Sequence, residues 1–195
     1  MVAVAPTTTV RARLSDATGD VHESLHVHPL SLALLNQPTP TIVRATMTAA
    51  RRFYAALESA RDARGCWDVL QLSPHLDALQ NDLGSEHLDT NPVALALDSD
   101  AAILGALYVA HGAQFGRQQI RGQMLRRGLD AIPAYYTMSV DRTTWHALLD
   151  ALEVTGTSAD GFDALYQGAM AAFTAYRQSL DLATPYKHRN VHSPS

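Results

Sequence analysis

Apolar residues in this chain recur at three- and four-residue spacing along nearly all of its 195 positions, and that period is the one an α-helix buries. Leu14, Ala17, Val21 and Leu25 mark a first helical stripe, which Pro29 stops because its ring clashes with the preceding turn. In the connector Gln37–Thr41, Thr39 is placed as an N-cap with Pro40 at the first helical position. Val43, Met47, Ala50, Tyr54 and Leu57 then share one face of a helix expected from about Ile42 to Arg64 and ended by Gly65. Ser73-Pro74 opens another, carrying Leu76, Leu79 and Leu83 on one side and closed by Gly84. A loop is expected from Ser85 to Pro92. Ser99 or Asp98 caps a helix over about Asp100 to Arg127, and Asp141 caps one bearing Trp145, Leu148, Leu149 and Leu152. Ser158 or Asp160 opens the last, with Phe162, Leu165, Ala169, Phe173, Tyr176 and Leu180. No alternating run of β-branched residues is bounded by turn signals, and no fixed repeat appears. The expectation is an all-α, single-domain bundle of six to eight helices over residues 10–183, between a flexible segment 1–9 and a flexible tail 184–195.

Composition narrows the function classes. With 47% hydrophobic and 17% charged residues, the chain has a globular balance, and its length lets about 70% of the unfolded surface be buried without a staple. A net charge of −4 argues against nucleic-acid binding by bulk electrostatics. The single cysteine, Cys66, excludes an internal disulfide and a CxxC zinc site. No run of about 18 apolar residues offers a membrane span. The opening MVAVAPTTTVRAR lacks a signal-like hydrophobic core, so a cytoplasmic location is expected.

Two features depart from what a plain helical domain needs. Gly105, Gly112 and Gly116 lie inside one expected helix, where each glycine costs roughly 1 kcal/mol relative to alanine. Another helix packs closely on them, or the helix must bend there, or something flat or bulky lies against the bare backbone. The second feature is His22, His26 and His28. His22 and His26 stand at i, i+4 and share a face, but zinc wants three or four ligands. Glu23–His26 matches one Glu-x-x-His unit of a di-iron bundle, yet Glu58, Glu86 and Glu153 are the only other glutamates and no second unit exists. Surface or satisfied core histidines are the plain alternative. Together the two features fit a third reading: one histidine ligates a haem iron while a glycine-lined helix lies on the other face of the ring.

Three segments carry a resemblance to the heme oxygenase family of bacterial type. Leu14–Leu25 (LSDATGDVHESL) is similar to the opening helix, with His22 at the ligand position. Leu76–Ser85 (LDALQNDLGS) resembles a mid-chain leucine-rich helix. Leu104–Ile120 (LGALYVAHGAQFGRQQI) resembles the distal helix and is the most specific of the three. The likeness spans about residues 10–183 and implies a heme oxygenase-like bundle. By that resemblance His22 is the proximal iron ligand, Gly112 and Gly116 form the distal, catalytic side, and Ser15, Thr18, Tyr108, Phe173 and Arg177 are further haem-binding positions. The implied activity is O2-dependent cleavage of haem to biliverdin, iron and CO. Electrons would come from a reductase or ferredoxin, and a phytochrome could accept the biliverdin. The departures are Ala113 for a polar residue, Arg117 for the second glycine of a pair, His111 before Gly112, and Ser15 for a basic propionate contact. Arg11, Arg13 or Arg177 could replace that contact, and His111 could compete for the sixth iron position. The alternatives are a protein of this fold that binds haem or another tetrapyrrole without cleaving it, or a non-haem interaction protein.

Overall fold

Side-chain chemistry accounts for most of the helix starts. The computed structural model describes residues 8–84 and 93–184. The expected loop from Ser85 to Pro92, the segment 1–7 and the tail beyond Thr184 lie outside them. The described residues form α1 (Val10–Ala17), α2 (Gly19–His26), α3 (Pro29–Asn36), α4 (Pro40–Arg64), α5 (Ser73–Leu83), α6 (Asp100–Arg126), α7 (Ala134–Thr137), α8 (Arg142–Thr155) and α9 (Ala159–Ala183), with a 3-10 turn at Asp68–Leu70. There is no strand among them.

Thr39, Ser99, Asp141 and Ser158 each accept a hydrogen bond from a backbone N–H of the first turn they cap. These bonds satisfy donors that the helix itself leaves without partners. Gly65 ends α4 in the left-handed region at φ 62°, a conformation that only glycine adopts at little cost.

The structure differs from the sequence reading near the N-terminus. The expected first helix is two, interrupted at Thr18 (φ −104°, ψ 4°). The Thr18 hydroxyl donates to the Leu14 carbonyl at 2.8 Å, a back-bond of the kind that bends helices. Pro29 also begins α3 as well as ending the earlier stripe. His28 is its N-cap, accepting the Leu30 N–H on Nδ1 at 3.1 Å. Its Nε2 stands 3.6 Å from Asp181, so His28 is a buried, satisfied residue. The short α7 and the 3-10 turn were not expected, and the described helices exceed the six to eight anticipated.

The three long helices organise the core. α9 packs on α6 and on α4, and α4 also meets α6. At the α6–α9 crossing a methyl on Gly105 would overlap the Leu165 carbonyl, and one on Gly168 would overlap the Ala102 carbonyl. Glycine on each helix lets the two backbones touch. Leu104, Leu107 and Leu165 are fully buried around this crossing, each contributing about 1.5–3 kcal/mol. α1 lies on α8 and α9, α2 on α9, and α3 on α4 and α6. α7 is wedged between α5 and α6, and the Asp82 carboxylate of α5 accepts the Ala134 and Tyr135 N–H groups at 3.0 and 2.8 Å.

Candidate functional site

α2 and α6 both pack on α9, and residues of α2 and of α6 beyond Leu107 line a cavity of about 460 Å³, a size suited to a small ligand. Its rim is built from exposed residues: Ser15, Gly19, His22, His26, Ala113, Phe115 and Gly116. Its inner end is built from buried ones: Thr46, Phe53, Tyr54, Arg117, Tyr135 and Tyr136.

Seven of the eight positions singled out from the sequence reach this cavity: Ser15, Thr18, His22, Tyr108, Gly112, Gly116 and Phe173. Arg177 does not. It is exposed on α9 and is not part of the lining. The Thr18 hydroxyl is already engaged with Leu14, so that residue shapes the wall and leaves polar contacts to others.

The glycines do not share one explanation. Gly105 is a packing glycine, as its contact with Leu165 shows. A Cβ on Gly112 or on Gly116 would meet nothing within 4 Å, so no neighbouring helix requires glycine there. Both instead leave a bare stretch of backbone facing the cavity.

His22 stands 4.6 Å from His26 and 5.9 Å from Phe173 between ring centroids, edge-on to both. Partial burial, reinforced by the adjacent His26, lowers the basicity of His22, with Glu23 opposing in part. A neutral imidazole is the form that ligates a metal. Among the described residues no three His, Cys, Asp or Glu side chains converge on a metal site. A metal held at His22 would therefore bring its other donors with it, as the iron of a macrocycle does.

Several residues take positions that sequence reasoning did not assign. Tyr135 and Tyr136 line the cavity as well as packing a helix end, and so do Trp145, Tyr54 and Tyr176. Burial pushes the phenols of Tyr54, Tyr135 and Tyr176 up, and Tyr136 up to about 12, so all four stay protonated. The Thr46 hydroxyl donates to the Val43 carbonyl at 2.8 Å, so Tyr136 donates to Thr46 at 3.0 Å. Tyr108 stacks on Trp145 at 6.0 Å. Period-3.6 spacing marked the tyrosines of α4 and α9 as core. Nothing local to residues 134–137 could have, because the tether to Asp82 is remote in sequence.

Two distal-helix departures take definite positions. His111 is buried, outside the lining, and its Nε2 is 3.0 Å from the Leu70 carbonyl, so it is not placed to compete for a ligand in the cavity. Arg117 turns inward and is 3% exposed. Cys66 is half-buried, with burial pushing its thiol up, and lies away from the cavity. No protein-family model and no curated protein matches the chain.

Proposed function

We propose that the cavity binds haem, with His22 as the iron ligand, and that the protein is a heme oxygenase cleaving haem to biliverdin, iron and CO. The observation that carries this reading is the meeting, on one cavity, of a neutral-leaning histidine and two helix glycines that no packing contact explains. Bare backbone at Gly112 and Gly116 admits a flat ring close to α6. Phe173 lies edge-on to His22, and Tyr108 and Trp145 add a stacked pair to the wall. Bound haem would supply the redox-active iron and the position for O2, with electrons from a separate reductase or ferredoxin. The chain's own part is orientation and exclusion of water. The resemblance of Leu104–Ile120 to a distal helix adds to the reading.

A second reading, haem or tetrapyrrole binding without cleavage, is favoured by Ala113. This residue lies on the rim beside Gly112 and offers no polar group to hold the water that would deliver protons. Mixing the protein with hemin and then ascorbate or a ferredoxin system separates the two. A broad red biliverdin band supports cleavage, and persistent ferrous haem supports binding alone. His22→Ala is expected to remove or strongly shift the Soret band while leaving the far-ultraviolet circular dichroism unchanged. An unaltered haem spectrum in that variant rules out His22 as the ligand.

A further inference from the structure

Arg117 is a cation buried at the inner end of the cavity with no counter-ion among the described residues. Its Nη1 makes two contacts at the outer limit of hydrogen bonding, 3.5 Å to His75 Nδ1 and 3.5 Å to Met138 Sδ. The guanidinium carbon lies 4.8 Å from the centre of the Tyr135 ring. Among the described residues Nε and Nη2 have no hydrogen-bond partner, and no carboxylate stands at ion-pair distance from this side chain. An unpaired buried charge is among the costliest arrangements a fold can keep. The alanine-rich face of α6 gave simpler options.

The pattern of the missing bonds is specific. Nε and Nη2 form one edge of the guanidinium plane, and their two N–H bonds run parallel, matching the two oxygens of a carboxylate. We infer that Arg117 is the receptor for a carboxylate carried by the ligand of this cavity, held at the inner end beside the phenols of Tyr54 and Tyr135. Resting on the haem reading, that group is a propionate drawn inward; without it, the head of another amphipathic acid.

The surroundings favour a single negative charge. Burial and the nearby Arg117 hold His75 down at about 3, and burial lowers His111, so neither adds the second cation that a phosphate dianion would want. Tyr54 donates to the Ala110 carbonyl at 3.4 Å and accepts from Tyr135 at 3.2 Å between hydroxyls, so both phenols are neutral and set no negative charge beside Arg117. Phe53, Leu34 and Ala50 add apolar wall, so the acid should carry a hydrocarbon or aromatic body.

Hemin and hemin dimethyl ester test this, titrated into the wild type, Arg117→Met and Arg117→Lys. Hemin should bind Arg117→Met about 10- to 100-fold more weakly, the range for a hydrogen-bonded charge contact. The ester should bind wild type and variant alike, and Arg117→Lys should recover part of the hemin affinity. The ligand-free Arg117→Met protein should melt no lower than wild type, since an unpaired buried charge has been removed. Equal weakening of both haems, or undiminished hemin binding, overturns the inference. If neither haem binds the wild type, the haem reading fails and dodecanoate decides the carboxylate. It should raise the melting temperature of the wild type but not of Arg117→Met, and methyl dodecanoate should raise neither. No shift with dodecanoate in that case overturns the inference as well.

Discussion

The two halves of α6 carry the same residue in the same helical setting and use it in opposite ways. Gly105 lies under Leu165 of α9, with Gly168 answering it under Ala102. Two turns later Gly112 and Gly116 look out on the cavity, with room for a side chain that is not there. In the first half the absent Cβ is filled by backbone, and the gain is a close crossing that fixes α6 on α9. In the second half the absent Cβ leaves a smooth wall. Glycine in a helix is thus not one signal but two, told apart only by what lies opposite.

The largest expected effect comes from forcing a side chain into the first half. Gly105→Val should destabilise the fold by several kcal/mol, because the overlap is with backbone and cannot be relieved by a rotamer change. A urea midpoint within the error of wild type would break the comparison.

Acid comes next, and it probes the wall beneath the second half. His75, buried against Tyr54 with ring centroids 5.6 Å apart, is held down at about 3. The unfolded chain takes up this proton near pH 6.5, whereas the folded one resists it until near pH 3. Its share of stability is therefore intact above pH 6.5 and falls as pH drops toward 3, by up to about 1.4 kcal/mol per pH unit. His75→Gln should flatten the denaturation midpoint against pH over that window. A wild-type profile already flat from pH 6.5 to 4 would contradict the placement.

The smallest effect has the opposite sign. Gly112→Ala and Gly116→Ala should each raise stability by about 0.5–1 kcal/mol, since alanine is the better helix former and nothing crowds its methyl. Thermal melts of the two variants check this. A loss of stability in either would show that the second half is packed like the first.

Local chemistry made much of the fold legible. Thr39-Pro40, Ser99, Asp141, Ser158 and Gly65 mark helix ends through their own side chains or backbone freedom, so sequence alone locates them. Thr18 does not, because apolar spacing runs on through Ala17 and Val21 while the backbone bends at one residue. His28-Pro29 is the same start signal as Thr39-Pro40, written with an imidazole in place of a hydroxyl. The cavity was legible where helical spacing put His22, Gly112 and Gly116 in view, and illegible where it depends on distant partners. The Asp82 tether to α7 brings two tyrosines to the wall, and the inward turn of Arg117 depends on Tyr135 and His75. Arg177, chosen for its charge and its place on α9, sits outside.

A ligand that filled the cavity would tie the amount of this protein to its own supply. A compound that enters binds the folded chain alone, and mass action then shifts folding by RT ln(1 + [L]/Kd), about 2.7 kcal/mol at a hundredfold excess over Kd. Natural domains hold only some 5–15 kcal/mol in reserve. A chain with a buried cation and bare helix backbone around such a space would then be more exposed to proteolysis when that ligand ran short, and would persist longer when it was plentiful.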